Sequence, residues 1–304
     1  MTHRMVADSD TQPRHYRVMP MCQGAYGVFN AIAQTCTDVI QSLPQRGEFE
    51  LEIRFGALDP LRNTFKPEIS ADFWNSSLAL LRSYTSWTEV VEPVEYEDTY
   101  YTVGNQTVRT RAIALDGGKM DITHIYKKRA DVWDFRTHAH EATANKLPDM
   151  RVALSIELPC TSVPSHTKPT RVSITQRYSF LYTPTGWNRA VIRFDLTNSW
   201  SDVTRSLAEQ KQALGQAGSR SMEIECFDSA YMQETTHGAS YVVASLIAKM
   251  MDFIRHNNAN LCENPYSVSL EPILKGPLNR LPLKTPVQEK VAYIVLNEST
   301  IPIT

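Results

Sequence analysis

The stretch Glu48-Phe49-Glu50-Leu51-Glu52-Ile53-Arg54-Phe55-Gly56 alternates polar and apolar side chains without a break. Successive side chains of a β-strand point to opposite faces, so this period of two predicts a strand that ends at Gly56. One face carries Glu48, Glu50, Glu52 and Arg54, and the other is apolar throughout. Carboxylates at alternate positions repel one another unless a cation lies among them. The stretch therefore predicts a cationic partner, either a metal ion or a set of Lys and Arg side chains.

The composition is that of a globular protein without an overall positive field. The chain has 304 residues, 42% of them hydrophobic, enough for one large domain or two small ones. Lys and Arg number 31 against 33 Asp and Glu, so any nucleic acid would be bound locally. The 5 cysteines lack metal-ligand spacing, which is typical of reduced thiols in an intracellular protein. We find neither a signal pattern nor an apolar run of about eighteen residues, and we expect a soluble protein with no membrane association.

Hydrophobic periodicity predicts four helices and a longer series of strands. The helices span 25–43, 67–84 (opened by Pro67), 202–214 and 239–256. The strands span 48–56, 87–94, 95–103, 106–115, 120–135, 150–158, 171–182, 190–197 and 220–228, with a loop over 136–148. Hairpin signals between strands favour an antiparallel barrel or sandwich that carries helices, an α+β protein. We expect a flexible N-terminal tail over 1–20, one domain over 21–264 and a surface-packed C-terminal tail over 265–304.

Several later strands repeat the polar and apolar faces of the first. Acidic strands stand at both ends of the series, and basic strands lie between them. In chain order, the residues that share polar faces are Arg109 with Arg111, Lys127 with Arg129, Arg151 with Ser155 and Glu157, Arg171 with Thr175 and Arg177, Arg193 with Asp195 and Thr197, and Glu223 with Glu225.

Two architectures explain these faces, and alternation does not choose between them. In the first, the apolar faces form the core and the charged faces lie in water, the commoner arrangement for an antiparallel sheet. In the second, the charged faces line a water-filled lumen and helices cover the apolar outer surface of a barrel. The four amphipathic helices need an apolar surface to pack on, which favours the second.

The sequence resembles the fungal and protozoan metal-dependent mRNA-capping RNA 5′-triphosphatases, which are triphosphate tunnel metalloenzymes. Each matching piece is common by itself, whereas their number and order across residues 48–228 are specific. The pieces are Glu50-Leu51-Glu52-Ile53-Arg54-Phe55-Gly56, Asp98-Thr99-Tyr100-Tyr101, Val108-Arg109, Lys127-Lys128-Arg129, Ser155-Ile156-Glu157-Leu158, Arg177-Tyr178-Ser179-Phe180, Arg193-Phe194-Asp195-Leu196-Thr197 and Met222-Glu223-Ile224-Glu225.

The resemblance implies an eight-stranded antiparallel barrel, the triphosphate tunnel, with a hydrophilic interior and flanking amphipathic helices. It implies a catalytic domain over 21–264 with Mn²⁺ or Mg²⁺ held by Glu50, Glu52 and Glu225. Carboxylate oxygens suit such hard cations.

The resemblance also implies roles for the other charged residues. Arg109, Lys127, Arg177 and Arg193 would bind the triphosphate. Glu157 and Glu223 would position the attacking water, and Asp195 would orient an arginine or a metal-bound water. The activity implied is that of a polynucleotide 5′-triphosphatase, a phosphoric anhydride hydrolase that catalyses the first step of mRNA capping and also hydrolyses nucleoside triphosphates with Mn²⁺. An RNA guanylyltransferase would be its partner, and the nucleus its location.

The chain departs from the family pattern in two places. Ser221 stands where the last strand usually has a first glutamate, and Thr175 stands where a lysine is usual, a ligand that Arg171 could replace. Either Lys127 or Lys128 could face the tunnel, since the assignment shifts by one residue. Two further functions stay open: a tunnel enzyme that hydrolyses tripolyphosphate or a small triphosphate, and a noncatalytic β-barrel that binds RNA or protein.

Overall fold

Strands and helices alternate along the chain. The computed structural model describes residues 17–21, 25–44, 47–59, 64–104, 106–139, 147–164, 166–184, 186–234, 238–258, 268–273 and 292–296. The strands are β1 Arg17–Met21, β2 Glu48–Asp59, β3 Thr64–Lys66, β4 Glu89–Val103, β5 Gln106–Ala114, β6 Met120–Ala139, β7 Asp149–Pro159, β8 Pro169–Tyr182, β9 Ile192–Asp202, β10 Ser219–Cys226, β11 Val268–Ile273 and β12 Ala292–Leu296. The helices are α1 Ala25–Gln41, α2 Ala71–Ser83, α3 Arg205–Ala213, α4 Ser229–Glu234 and α5 Gly238–His256, with a 3₁₀ turn at Asp116–Gly118.

Eight antiparallel strands close into a barrel. Their order is β10-β9-β8-β4-β5-β6-β7-β2, and β2 pairs again with β10 to complete the ring. Strand β3 extends β2 as a short hairpin, and β11 pairs with the end of β6. The predicted antiparallel barrel is confirmed.

The charged faces of the strands point inward, and the apolar faces lie outside under the helices. Leu51, Ile53 and Phe55 of β2 are fully buried on the outer face. Their surroundings include α5, whose Phe253 ring lies 6.1 Å from that of Phe194 on β9. Each fully buried side chain of this kind stabilises the fold by about 1.5–3 kcal/mol. The second of the two architectures is therefore the one observed, because the helices cover the apolar outer surface.

Strand β2 is longer than predicted. It continues to Asp59 and bends back through β3 instead of ending at Gly56. A Cβ at Gly56 would lie 2.2 Å from the carbonyl oxygen of Lys66 and 2.6 Å from the ring of Phe65. Gly56 is thus needed for close approach of the two strands, and it does not end the first one.

The second helix begins four residues later than predicted. The Ser70 hydroxyl accepts a hydrogen bond from the backbone N–H of Phe73 at 3.2 Å, which makes Ser70 the N-cap and Ala71 the first helical residue. Pro67 lies before the cap, in extended chain. The third helix also starts later, at Arg205, because β9 runs on to Asp202 and Thr204 is the N-cap.

The predicted strands 87–94 and 95–103 are one strand, β4. Its pairing with β8 shifts register between Val91 and Val94. Pro93 lies in this irregularity, where the missing proline N–H does not break a ladder hydrogen bond. The bulge therefore lies within one continuous strand where two strands were predicted.

The end of β6 and the two termini also differ from expectation. Residues 136–139 belong to β6 and not to a loop, and His138 lies 2.7 Å from Glu271 of β11. Residues 140–146 of the predicted loop lie outside the described residues, and 147–148 are in neither a helix nor a strand, as predicted. Residues 17–20 of the predicted tail pair with β12. Most of both predicted tails is likewise undescribed, and the division at 20 and 265 stays a prediction. Among the described residues, no helix is both long and apolar enough to cross a bilayer.

Candidate active site in the charged tunnel

The pairing of β2 with its neighbours assembles the acidic part of the tunnel. Glu52 on β2 lies directly opposite Glu225 on β10, and Arg54 lies opposite Glu223. Opposed residues in such a pair have Cβ atoms about 4.5–5.5 Å apart. Glu50, two residues before Glu52, lies on the same inward face. All four carboxylates are less than 10% exposed.

Lys127 of β6 is the cation among the carboxylates of β2. Its Nζ contacts Oε2 of Glu50, lies 3.2 Å from Oε2 of Glu52 and lies 3.9 Å from Oε1 of Glu157. Burial lowers the pKa of Lys127, but Glu52 and Glu50 outweigh it, and the pKa is raised overall. Lys127 faces the tunnel because it pairs with Glu157 across β6 and β7, whereas the neighbouring Lys128 is exposed. The structure thus resolves the ambiguity between the two lysines.

Arg54 is a second cation within the acidic strand itself. Its guanidinium donates to Glu52 at 2.7 Å and to Glu223 at 2.7 Å. Burial disfavours the charged form of Glu223, but Arg54 and Arg177 outweigh it and lower the pKa of Glu223 to about 2. The carboxylate of Glu223 therefore stays ionised. The sequence placed Arg54 on the polar face of the strand, but it did not indicate what Arg54 does there.

Asp195 of β9 organises the basic side of the tunnel. Its Oδ2 lies 3.1 Å from Nη1 of Arg177 and 2.9 Å from Nε of Arg193, while Ser179 donates its hydroxyl to Oδ1 at 2.5 Å. Arg193 reaches on to Glu225 at 2.7 Å. Asp195 is 1% exposed, so it lies beneath both arginines and fixes their directions.

Two carboxyl groups of the tunnel have raised pKa values, which favours their protonated forms. Burial, then the charge of Glu52, raises the pKa of Glu50 to about 8. Burial, together with the charge of Glu223 and despite the opposing Arg193, raises the pKa of Glu225 to about 7. A divalent cation bound among these crowded carboxylates would offset their mutual repulsion and favour their ionised forms.

The donor set fits a hard divalent cation, because it consists of carboxylate oxygens. Among the described residues, the trio whose ligand atoms lie within 4.8 Å of one another is Asp195, Glu223 and Glu225. Only Glu225 belongs to the predicted metal set. Glu50 and Glu52 instead contact Lys127, and Glu52 also contacts Arg54. The predicted set of Glu50, Glu52 and Glu225 lines one part of the tunnel, but it does not converge as tightly as this trio.

Arg109 and Arg177 retain unused donors in the tunnel, and the buried Nε of Arg193 also makes no hydrogen bond, although it lies 2.9 Å from Oδ2 of Asp195. Arg109 of β5 reaches Glu157 through Nη2 at 3.3 Å, and Arg177 reaches Asp195. The Nε atoms of both are buried, with no hydrogen-bond acceptor among the described residues. Buried donors of this kind cost free energy unless an acceptor meets them, and guanidinium groups match phosphate oxygens in geometry. The tunnel is thus suited to an anionic ligand.

The residues at the two departures from the family pattern, Thr175 and Ser221, each pair with the hydroxyl of a residue on a neighbouring strand. Thr175 lies 2.9 Å from the hydroxyl of Ser199, and Ser221 lies 2.7 Å from that of Thr197. These groups satisfy one another and add no charge. Arg171 does not occupy the place of the missing lysine, since its Cζ lies 4.0 Å from the centre of the Tyr100 ring.

A further ion pair in the tunnel had no role in the sequence-based prediction. Arg111 donates to both oxygens of Asp98 at 2.8 Å, and its guanidinium lies 4.1 Å from the ring centre of Tyr96. The Arg177 guanidinium lies 5.1 Å from the same ring. Tyr96 thereby helps to position Arg177. The signal was present, because Arg111 alternates with Arg109 and Asp98 begins one of the matching motifs.

One end of the tunnel opens into a cavity of about 380 Å³. Glu50, Glu157 and Glu225 reach this cavity from the barrel, and Phe227 and Arg189 line its outer part. Arg189 pairs with Asp228 at 2.6 Å. A ligand could therefore reach the predicted metal-binding and water-positioning carboxylates from this side.

Comparisons with known proteins reveal similarity in structure and none in sequence. No protein-family profile and no curated protein sequence matches the chain. The S. pombe Pct1 RNA triphosphatase aligns at 13% identity over 83% of this chain and 99% of its own, with a TM-score of 0.53. In its complex with the Spt5 CTD it aligns at 13% identity over 75% of this chain and 94% of its own, with a TM-score of 0.53. The Mimivirus capping-enzyme triphosphatase aligns at 14% identity over 75% of this chain and 97% of its own, with a TM-score of 0.47. The closed eight-stranded antiparallel barrel with flanking helices is therefore the triphosphate-tunnel fold, as in the S. pombe RNA triphosphatase.

Proposed function

We propose that this protein is an mRNA 5′-triphosphatase that removes the γ-phosphate of triphosphate-ended RNA by metal-dependent hydrolysis. The observation that supports this most directly is the lining of the closed barrel, where carboxylates and cations interleave at contact distance. Lys127 lies among Glu50, Glu52 and Glu157, and Asp195 holds Arg177 and Arg193. Such a lining can bind a polyanion and a divalent cation side by side.

Four cations would bind the triphosphate. Arg109 and Arg177 have buried Nε donors without acceptors among the described residues, and these donors would meet phosphate oxygens. Lys127 would exchange part of its contact with Glu50 and Glu52 for a phosphate oxygen. Arg193 is held by Asp195 and Glu225, so its guanidinium is pre-oriented before substrate binds. Charge that develops on the transferred phosphoryl group would be stabilised by these cations, of which the pre-oriented Arg193 needs no rearrangement.

Glu50, Glu52 and Glu225 would hold Mn²⁺ or Mg²⁺. When bound, the metal would neutralise phosphate charge and supply a Lewis acid. The carboxylates of Glu50 and Glu225, whose pKa values are raised to about 8 and about 7, would lose their protons on binding.

Two further carboxylates would position the attacking water. Glu157 lies 3.3 Å from Arg109 and borders the cavity at the tunnel mouth, where water has access. Glu223 stays ionised because of Arg54 and Arg177, so it can accept a hydrogen bond from water at neutral pH. Asp195 would act on the arginines and not on the reacting atoms.

The products would be a 5′-diphosphate RNA end and inorganic phosphate, the former being the substrate for guanylyl transfer in capping. Association with an RNA guanylyltransferase, residence in the nucleus and hydrolysis of free nucleoside triphosphates with Mn²⁺ belong to the same proposal. They follow from the role and from the tunnel fold shared with an RNA triphosphatase.

The test is phosphate release from γ-labelled triphosphate-ended RNA with Mg²⁺, with Mn²⁺ and with chelator. We expect metal-dependent release that Glu52→Ala abolishes. Glu92→Ala is the matched control, because Glu92 is an exposed carboxylate that pairs with Arg82 of α2 at 2.7 Å. Release from inorganic tripolyphosphate is measured in parallel, and a strong preference for it would favour a tripolyphosphatase. Absence of release with every metal would contradict an enzymatic function.

A further inference from the structure

An aromatic residue and two arginines form a row on the inner face of the barrel. Tyr100 of β4 pairs with Arg109 of β5 on one side and with Arg171 of β8 on the other. Side chains opposed in this way lie on the same face of the sheet. The row therefore crosses three adjacent strands, with the aromatic ring at its centre.

The row leads from the predicted phosphate site toward solvent. At its inner end, Arg109 contacts Glu157, which in turn lies 3.9 Å from Lys127. The side chain of Arg109 is 21% exposed, Tyr100 is half-buried and Arg171 is exposed. A ligand that is held at Lys127 and Arg109 and is longer than a triphosphate would next meet Tyr100 and Arg171.

Arg171 differs in its charge environment from six other arginines of the barrel. Ion pairs with carboxylates engage Arg54, Arg109, Arg111, Arg151, Arg177 and Arg193. Arg171 has no carboxylate within ion-pair distance in the part of the chain that the structure describes. Its guanidinium lies instead 4.0 Å from the centre of the Tyr100 ring. The Arg171 cation thus lies against the Tyr100 ring and is not paired with a carboxylate of the described residues.

We infer that Tyr100 and Arg171 bind the nucleoside end of the substrate and so select triphosphate-ended RNA over inorganic tripolyphosphate. This inference rests on the proposed function. Aromatic rings and guanidinium planes are the surfaces on which unpaired bases stack. The uncompensated charge of Arg171 would also attract the phosphodiester that follows the first nucleoside. A tripolyphosphate ion, which ends at the phosphates, would gain nothing from either group.

The experiment compares kcat/KM for a triphosphate-ended RNA oligonucleotide and for inorganic tripolyphosphate with the same metal. In Arg171→Ala we expect the ratio of the two values to fall about tenfold, the order of loss found when one base-stacking contact is removed. Tyr100→Leu should shift the ratio in the same direction. Arg82→Ala is the matched control, because Arg82 lies over the ring of Tyr178 at 5.2 Å on the outer face of the barrel.

An unchanged ratio in Arg171→Ala would overturn the inference. A parallel fall for both substrates would also overturn it, because Arg171 would then bind the triphosphate itself. Direct binding of fluorescent triphosphate-ended RNA, competed with tripolyphosphate in the presence of chelator, separates this inference from the proposed function. Even if neither substrate is hydrolysed, weaker RNA binding with unaltered tripolyphosphate competition supports the Tyr100–Arg171 site, and equal effects on both reject it.

Discussion

Glu52 and Glu225 lie directly opposite each other on β2 and β10, yet different cations hold them. Glu52 contacts Lys127 and Arg54, whereas Glu225 contacts Arg193. The two carboxylates thus join the acidic and the basic sides of the tunnel at one pair of residues. A divalent cation bound between them would compete with three protein cations, so the proposed binding of metal and of substrate would be coupled through the same side chains.

Removing one carboxylate from this cluster should leave the fold intact. Glu50 is buried beside Glu52 and its pKa is raised to about 8, so its ionised form is disfavoured in the folded protein with chelator present. We expect Glu50→Gln to keep or raise the melting temperature at pH 8 with chelator, and to remove most of the stabilisation by added Mn²⁺. Thermal unfolding with and without Mn²⁺ measures both effects. A protein that unfolds on this substitution would show that Glu50 has a structural role.

The stability of the protein in chelator should fall as the pH rises. The pKa values of Glu50 and Glu225 are raised from 4.5 to about 8 and about 7, so the folded state binds more protons than the unfolded state between pH 4.5 and those values. This contribution is fully present below about pH 4.5 and is lost as the pH rises through 7 to 8. Urea unfolding across this range measures the decline. Metal should stabilise the protein more at pH 8 than at pH 6, and Glu50→Gln combined with Glu225→Gln should flatten the profile.

Substitutions of Asp195 and of Glu52 should differ in their effects on metal binding. If Glu50, Glu52 and Glu225 are the ligands, Asp195→Asn lowers kcat by about 10–100-fold by misdirecting Arg177 and Arg193 but keeps the shift in melting temperature with Mn²⁺. Glu52→Gln should abolish that shift. The opposite outcome, with the shift lost only in Asp195→Asn, would assign the metal to the trio Asp195, Glu223 and Glu225.

The two adjacent lysines provide a matched pair. Lys127 contacts three tunnel carboxylates, whereas Lys128 is exposed on the outer face. We expect Lys127→Ala to reduce kcat/KM for triphosphate-ended RNA by about 10²-fold or more, since it removes a preorganised cation. Lys128→Ala should stay within a few-fold of wild type. Similar losses in both variants would mean that Lys127 acts through general charge and not through its position.

Arg177→Ala and Arg193→Ala should each cost about 10²-fold in kcat if they meet charge that develops in the transition state. Both are held by Asp195, so their losses should not add when the two substitutions are combined. Steady-state kinetics of the two single variants and the double variant measures this coupling. Additive losses would show that the arginines act independently.

Which residues share a face of a strand follows from the amino-acid sequence alone. The alternation in β2 places Glu50 and Glu52 opposite Leu51 and Ile53, because the side-chain period of a strand is two whatever its neighbours are. The same local rule assigned Arg193 with Asp195 and Glu223 with Glu225. Helix α1 followed from its apolar stripe for the same reason, with an end within two residues of that observed.

Which face lies inside the barrel, and which residues meet there, depends on contacts between strands that are distant in the sequence. Closure of β2 onto β10 is a pairing between residues some 170 positions apart, and no local pattern encodes it. The choice of Lys127 over Lys128 depended on its register with Glu157, and the merging of two predicted strands into β4 depended on a bulge at its contact with β8. The stacking of Arg171 on Tyr100 likewise arises from the register of β8 with β4. Periodicity is a property of the backbone, whereas register and closure depend on the whole set of strands packed beneath the helices.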